Sequence, residues 1–171
     1  GRLALSANTT ADGNIAVGYK SLESCTSGES NVAVGKYALK SNSEGNGNIG
    51  IGNDTLVNNS SGNENIAIGR LSLYNNTTSQ NNIGIGRSSL FNVTGANGNI
   101  GIGEHSLFDN SSGNNNISIG SHSGSNTDID NGTANLETGS NNILIGHHTK
   151  TMTSDSENEI VIGKLCTGNG T

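Results

Sequence analysis

One five-residue phrase returns nine times and constrains this chain more than any other feature. It reads Asn14-Ile15-Ala16-Val17-Gly18, Asn31-Val32-Ala33-Val34-Gly35, Asn48-Ile49-Gly50-Ile51-Gly52, Asn65-Ile66-Ala67-Ile68-Gly69 and Asn82-Ile83-Gly84-Ile85-Gly86. It continues as Asn99-Ile100-Gly101-Ile102-Gly103, Asn116-Ile117-Ser118-Ile119-Gly120, Asn142-Ile143-Leu144-Ile145-Gly146 and Glu159-Ile160-Val161-Ile162-Gly163. The step is 17 residues from Asn14 to Asn116, 26 from Asn116 to Asn142, and 17 again to Glu159. A fixed period of this length defines a repeat architecture, in which each unit is too small to bury its own core and stacks on its neighbours.

Within one repeat, Ile66 and Ile68 alternate with Ala67, the period-two pattern of a short strand. β-branched residues favour strands, so the first and third residues of the strand, Ile15 and Val17 through Ile160 and Ile162, are expected inside. The middle residue is expected to face away from the inner core. The closing Gly stands in all nine phrases and marks a corner that only Gly turns cheaply. Leu5, Leu22, Leu39, Leu56, Leu73, Leu90 and Leu107 then recur at one register, in a second short strand or bend with Leu pointing in. The rest of the repeat is Asn, Ser, Thr and Gly, residues that bond their own backbone and accept unusual angles.

Parallel stacking at about 4.8 Å per coil places equivalent residues above one another. Asn14, Asn31, Asn48, Asn65, Asn82, Asn99 and Asn116 are then expected to form a ladder of side-chain amide bonds. Nine coils give a rod of roughly 45 Å. The middle residues Ala16, Ala33, Gly50, Ala67, Gly84, Gly101 and Ser118 are small. Read as outward, they predict a close-packed partner surface, most simply identical subunits about a threefold axis.

Composition excludes several classes. Hydrophobic residues make up 30% and aromatics 3%, with no Trp and no Pro, too little for an ordinary globular core. Disorder gives no reason for Ile or Val at fixed intervals, and collagen needs Pro and a Gly-X-Y period. Eight Lys and Arg against a net charge of −6 suggest no basic face and argue against nucleic acid. No apolar run is long enough to insert in a membrane as a helix. Cys25 and Cys166 lie in different repeats that a stack keeps apart, so both are expected as free thiols, as in a reducing cytoplasm. The register of Leu5 makes Gly1 the closing Gly of an earlier repeat, so the chain reads as a fragment that begins mid-repeat.

The phrase, followed after three residues by Leu and then by an Asn/Ser/Thr/Gly turn, resembles the repeat of YadA-like head domains. Those occur in trimeric autotransporter adhesins of bacteria, and a variant with a longer Asn-rich turn occurs in phage tail fibres and fibres of large DNA viruses. The resemblance covers Gly1 to about Gly163. It implies a homotrimer of left-handed parallel β-rolls forming the head or shaft of an adhesion fibre. Adhesins of the autotransporter type typically use shorter repeats that begin with Ser. The 17-residue step and the leading Asn therefore tilt the expectation toward a viral fibre.

The pattern breaks after Gly120. The 121–139 segment is nine residues longer than a standard turn, and Asp128, Asp130, Asn131 and Glu137 make it a candidate binding loop. It lacks the spacing and distal Glu of a calcium-binding loop. Leu144 and Val161 replace the small middle residue, and Lys150 and Thr167 stand where Leu should be; both changes suggest an altered neighbour surface. His147-His148 is a possible metal pair, but adjacent strand residues point to opposite faces. Gly45-Asn46-Gly47-Asn48-Ile49-Gly50 matches a dinucleotide fingerprint literally without the strand–helix context that gives it meaning. No spacing assembles a nucleophile with a base. Sequons at Asn8, Asn58, Asn75, Asn92, Asn110 and Asn131 follow from composition.

The sequence thus predicts an all-β parallel solenoid over residues 1–171, homotrimeric, with no catalytic site and no cofactor. Its role is that of a segment of a phage or virus tail fibre on the virion, contacting a host receptor or glycan. The alternative is a bacterial trimeric adhesin head on the outer surface. A monomeric ice-binding solenoid or a tail-spike glycanase is disfavoured, lacking an outward Thr array or a groove of paired carboxylates.

Overall fold

The computed structural model describes residues 1–125, 136–164 and 167–168. Among the described residues, nine three-residue strands run from β1 (Ile15–Val17), β2 (Val32–Val34), β3 (Ile49–Ile51), β4 (Ile66–Ile68) and β5 (Ile83–Ile85) to β6 (Ile100–Ile102), β7 (Ile117–Ile119), β8 (Ile143–Ile145) and β9 (Ile160–Ile162). They form one parallel sheet in sequence order. The register is residue on residue, as in Ile66↔Ile83, Ala67↔Gly84 and Ile68↔Ile85. This is an all-β parallel β-solenoid with one strand per coil. The longer step does not disturb it, because Ile117 pairs with Ile143 directly.

The asparagine that opens each phrase builds the expected ladder. Asn48 Nδ2 donates to Asn31 Oδ1 at 3.1 Å and Asn65 Nδ2 to Asn48 Oδ1 at 3.1 Å, and the chain of bonds continues to Asn142 on Asn116 at 3.0 Å. Most of these amides also donate to a carbonyl 14 residues on, as Asn48 does to Gly62 at 2.7 Å, while Asn99 donates to the Asn97 carbonyl at 3.3 Å. The carboxamide oxygen further accepts the next coil's backbone N–H, as Asn31 Oδ1 does from Asn48 at 2.9 Å. These amides are fully buried and fully satisfied, which makes a polar column tolerable inside the coil.

A second buried column runs through the turn. Asn42, Asn59 and Asn76 stack in the turn, with Asn59 Nδ2 donating to Asn42 Oδ1 at 2.8 Å and Asn76 Nδ2 to Asn59 Oδ1 at 2.7 Å. The next coil places Val93 there, and Asn76 Oδ1 is left buried with no hydrogen-bond partner. An unmet buried acceptor costs about 1–3 kcal/mol. Val93→Asn is therefore expected to extend the column and raise the melting temperature by a few degrees. Thermal unfolding followed by circular dichroism checks this, and a lower melting temperature would count against it.

Cys25 occupies the same column. It is a buried free thiol whose Sγ donates to the Gly28 carbonyl at 3.2 Å. Burial pushes its pKa up. The folded state thus holds this proton more tightly than the unfolded state. Its contribution to stability is level at neutral pH and falls once pH rises into the ordinary thiol range. Native Cys25 is expected to resist iodoacetamide and to react fully in denaturant, as mass spectrometry would read out; rapid native labelling would contradict its burial. Cys166 lies outside the described residues.

The interior is not where alternation placed it. Ala33, Ala67 and Ser118 are fully buried, as are Gly50, Gly84 and Gly101, and Ala16 in the first full coil is half-buried. These middle residues face the inside of the coil, so they are not an intersubunit surface. Conversely, Ile15, Val17, Val32, Val34, Ile49, Ile51, Ile66, Ile68, Ile83, Ile85, Ile100, Ile102, Ile117, Ile119, Ile143, Ile145, Ile160 and Ile162 lie on the outer face, half-buried or exposed. The cause is space. Each regular coil already encloses a fully buried Leu (Leu22, Leu39, Leu56, Leu73, Leu90, Leu107), a ladder Asn and a small residue such as Ser72 or Ser89. A Cβ added at Gly84 would stand 2.6 Å from Ser72 Oγ and 3.4 Å from Leu73 Cδ1. Two β-branched side chains per coil cannot enter that cross-section, whereas one hydrogen or methyl can.

The Leu segment is a bend and not a second strand. Leu39, Leu56, Leu73, Leu90 and Leu107 all have left-handed φ between 48° and 53°, and the residue two before each of them is left-handed too, at 53° to 61°. For a non-Gly residue this costs about 1–2 kcal/mol. Full burial of the Leu offsets that cost. The closing glycines, with φ from 116° to 143°, turn the corner as expected.

Leu144 and Val161 do not answer to a changed outer surface. A Cβ at Gly50, Gly84 or Gly101 would approach the Leu of the preceding coil. By the same register Leu144 lies over Gly124 and Val161 over Lys150, two of the positions where that Leu is lost. Both are buried, at 0% and 4% exposure, and refill the vacated volume from the neighbouring column.

Candidate functional site

The strand face is the first candidate. Two columns of Ile and Val run its length, nine rows deep, with no charged residue in any strand. At an axial step of about 4.8 Å the columns extend for roughly 38 Å. Within the sheet each side chain is covered above and below by its equivalents. What stays open is the outward surface, 36–39% at Ile51, Ile68, Ile85, Ile119 and Ile145. The end strands lack one neighbour and rise to 54% and 56% in β1 and to 69% and 67% in β9. Contiguous apolar surface is the feature by which interaction faces are recognised, which makes this face a candidate.

The second candidate is a lateral strip just past the closing Gly, made by the first, second and fifth residues after it. Its side chains touch along the axis. The rings of Tyr74, Phe91 and Phe108 stack at 5.3 and 5.0 Å, nearly parallel. His105 meets Phe108 edge-on at 5.2 Å, His122 meets His105 at 4.9 Å, and His148 stacks on His122 at 4.8 Å. His147 and His148 approach to 4.1 Å instead of pointing apart, because His148 sits in the corner at φ 53° and not in a strand. No group of three His, Cys, Asp or Glu able to hold a metal occurs among the described residues. At the other end, Tyr19 and Tyr37 contact edge-to-face at 5.6 Å. Lys36 and Lys40 Nζ lie 4.8 and 5.5 Å from the Tyr37 ring centre. Lys20 pairs with Glu23 at 2.9 Å, and that hydrogen bond raises the Lys20 pKa. Arg87 pairs with Glu104 of the next coil at 3.0 Å.

Only the two ends of the candidate loop fall among the described residues. Ser123, Gly124 and Ser125 hold regular coil positions, and Leu136 to Gly139 resume them. Leu136 is fully buried in the second Asn column. Glu137 is exposed in the ordinary turn, and its carbonyl accepts the Ser111 N–H at 2.9 Å. Asp128, Asp130 and Asn131 lie outside the described residues. Among the sequons, Asn110 is fully buried and donates to Gly113, while Asn58, Asn75 and Asn92 are joined in a half-buried amide ladder at 3.3 and 3.2 Å. Once folded, these amides are committed to the coil.

Fold and surfaces together define a parallel β-solenoid with one uncovered apolar sheet face and one aromatic–cationic strip. No family model matches the chain, and no characterised protein or solved structure matches it.

Proposed function

We propose that this chain is a structural and adhesive segment of a homotrimeric fibre, of the kind carried on a virion as a tail or receptor-binding fibre. The observation that carries the reading is the uncovered strand face. Eighteen Ile and Val residues in register, uncharged and unbroken over nine coils, are a surface that water disfavours and that a second and third copy can cover. Three such sheets facing a common axis supply the large core that a single coil lacks. The resemblance to YadA-like head repeats points the same way, and to a rod that withstands the extracellular medium while presenting its lateral surface to a host. In this reading the subunit contact uses the strand side chains and not the small middle residues.

Sedimentation equilibrium of this 171-residue chain at neutral pH tests the assembly. A mass of three chains is expected. A stable monomer with the same circular dichroism would overturn the fibre reading.

A further inference from the structure

The lateral strip carries a charge pattern that the whole-chain balance hides. Seven of the eight Lys and Arg stand in it, with three of the fourteen Asp and Glu, so its local balance is +4 in a chain of net −6. All five aromatic residues and all four His stand there too. The opposite turn has the reverse character. Asp12, Glu29, Glu44, Glu64, Asp155 and Glu157 are exposed on it, and no Lys or Arg joins them. Seven of the eight cations therefore do build a face, contrary to what their number suggests. It is densest around Arg2, Tyr19, Lys20, Lys36, Tyr37 and Lys40. Tyr19 is 38% exposed and Lys36 is exposed. Among the described residues no carboxylate pairs with Lys36 or Lys40.

We infer that this strip binds an acidic polysaccharide running along the solenoid axis. This deepens the adhesive role proposed above and rests on it for its biological setting. Two features select the polymer. First, the cations recur at a coil step of about 4.8 Å or its multiples, sparse against the one charge per ~1.7 Å of duplex DNA. A polysaccharide that carries one carboxylate per sugar spaces its charges far more widely than duplex DNA does, and that suits cations set one or more coil steps apart. Second, the ring faces are taken. Tyr74, Phe91 and Phe108 stack on one another, and two ammonium groups lie against the Tyr37 ring, so these faces are engaged within the strip. Base stacking needs open faces. A hydroxyl-rich, carboxylated chain needs donors and cations, which the strip offers.

The test is fluorescence anisotropy of labelled polygalacturonate with the purified chain at low ionic strength, with neutral dextran and oligo(dT) as comparison probes. Polygalacturonate is expected to bind, weakening as salt screens the contact, and dextran not to bind. Lys36→Gln with Lys40→Gln should cost about tenfold in affinity, about 1.4 kcal/mol, with an unchanged melting temperature. Glu44→Gln with Glu64→Gln on the opposite turn should change it less than twofold. Absence of polygalacturonate binding, tighter binding of oligo(dT), or equal effects of the two double variants would each overturn the assignment. Sedimentation of the same samples separates this from the fibre reading. A trimer that ignores the polymer sinks the strip alone, and a monomer that binds it sinks the trimer alone.

Discussion

Gly86→Ala is expected to disrupt the solenoid around its own coil and to lower the melting temperature by roughly 10 °C or more. Two independent costs coincide there. The backbone sits at φ 129°, a region L-residues rarely adopt, and an added Cβ would stand 2.5 Å from the Gly103 carbonyl oxygen and 2.6 Å from its carbon. Both are main-chain atoms of the next coil. They cannot yield without lengthening hydrogen bonds such as Gly103 N to Ile85 O, now 2.7 Å. Strain and steric overlap of this kind exceed about 4 kcal/mol. Gly95→Ala is the matched control. Nothing lies within 4 Å of its Cβ position, and removing a glycine from the unfolded chain should leave stability within about 1 kcal/mol of the parent, or slightly above. Thermal melts of the two variants side by side check the argument. Equal effects would show that the corner tolerates a side chain.

Two adjacent residues should fail in different ways. Ala67→Glu places a carboxylate at a site with 0% exposure. An uncompensated buried charge costs about 3–5 kcal/mol, so the chain should lose its sheet signal in circular dichroism. Ile68→Glu, one residue on, places the same group at a site 36% exposed on the strand face. The coil should fold with little loss, while the proposed trimer, with three carboxylates brought together at its axis, should dissociate to monomers in sedimentation. If Ile68→Glu unfolded the chain and Ala67→Glu only dissociated it, the assignment of inside and outside would be reversed.

Much of this architecture was legible in the residues. The period fixed the coil length, the alternation located each strand, and the invariant glycine marked the corner. The leading Asn announced its ladder, because an amide repeated at every step can bond its own equivalents. The recurring Leu points inward as its register implies, fully buried from Leu22 to Leu107 and half-buried at Leu5. These features depend on one residue and its copies above and below, so repetition alone exposes them.

The facing of the strand was different. A period of two separates two sides of a strand but does not say which side looks inward. Hydrophobicity favoured Ile inside, and that was wrong for this cross-section. One compensation could have corrected it. Where the Leu column falls to Gly124 and Lys150, the next middle residue grows to Leu144 and Val161. Residues that trade volume share a space.

What the sequence determined by itself is the repeating coil: its length, its parallel register, its amide ladder and its glycine corners, all set by local sterics and hydrogen bonding copied along an axis. What only the tertiary structure decided is the partition of surfaces. One Leu, two columns of Asn and a small residue fill the coil's cross-section and leave no room for the β-branched pair. That crowding turns eighteen Ile and Val side chains outward, and the same closure gathers scattered aromatic and cationic residues into one strip.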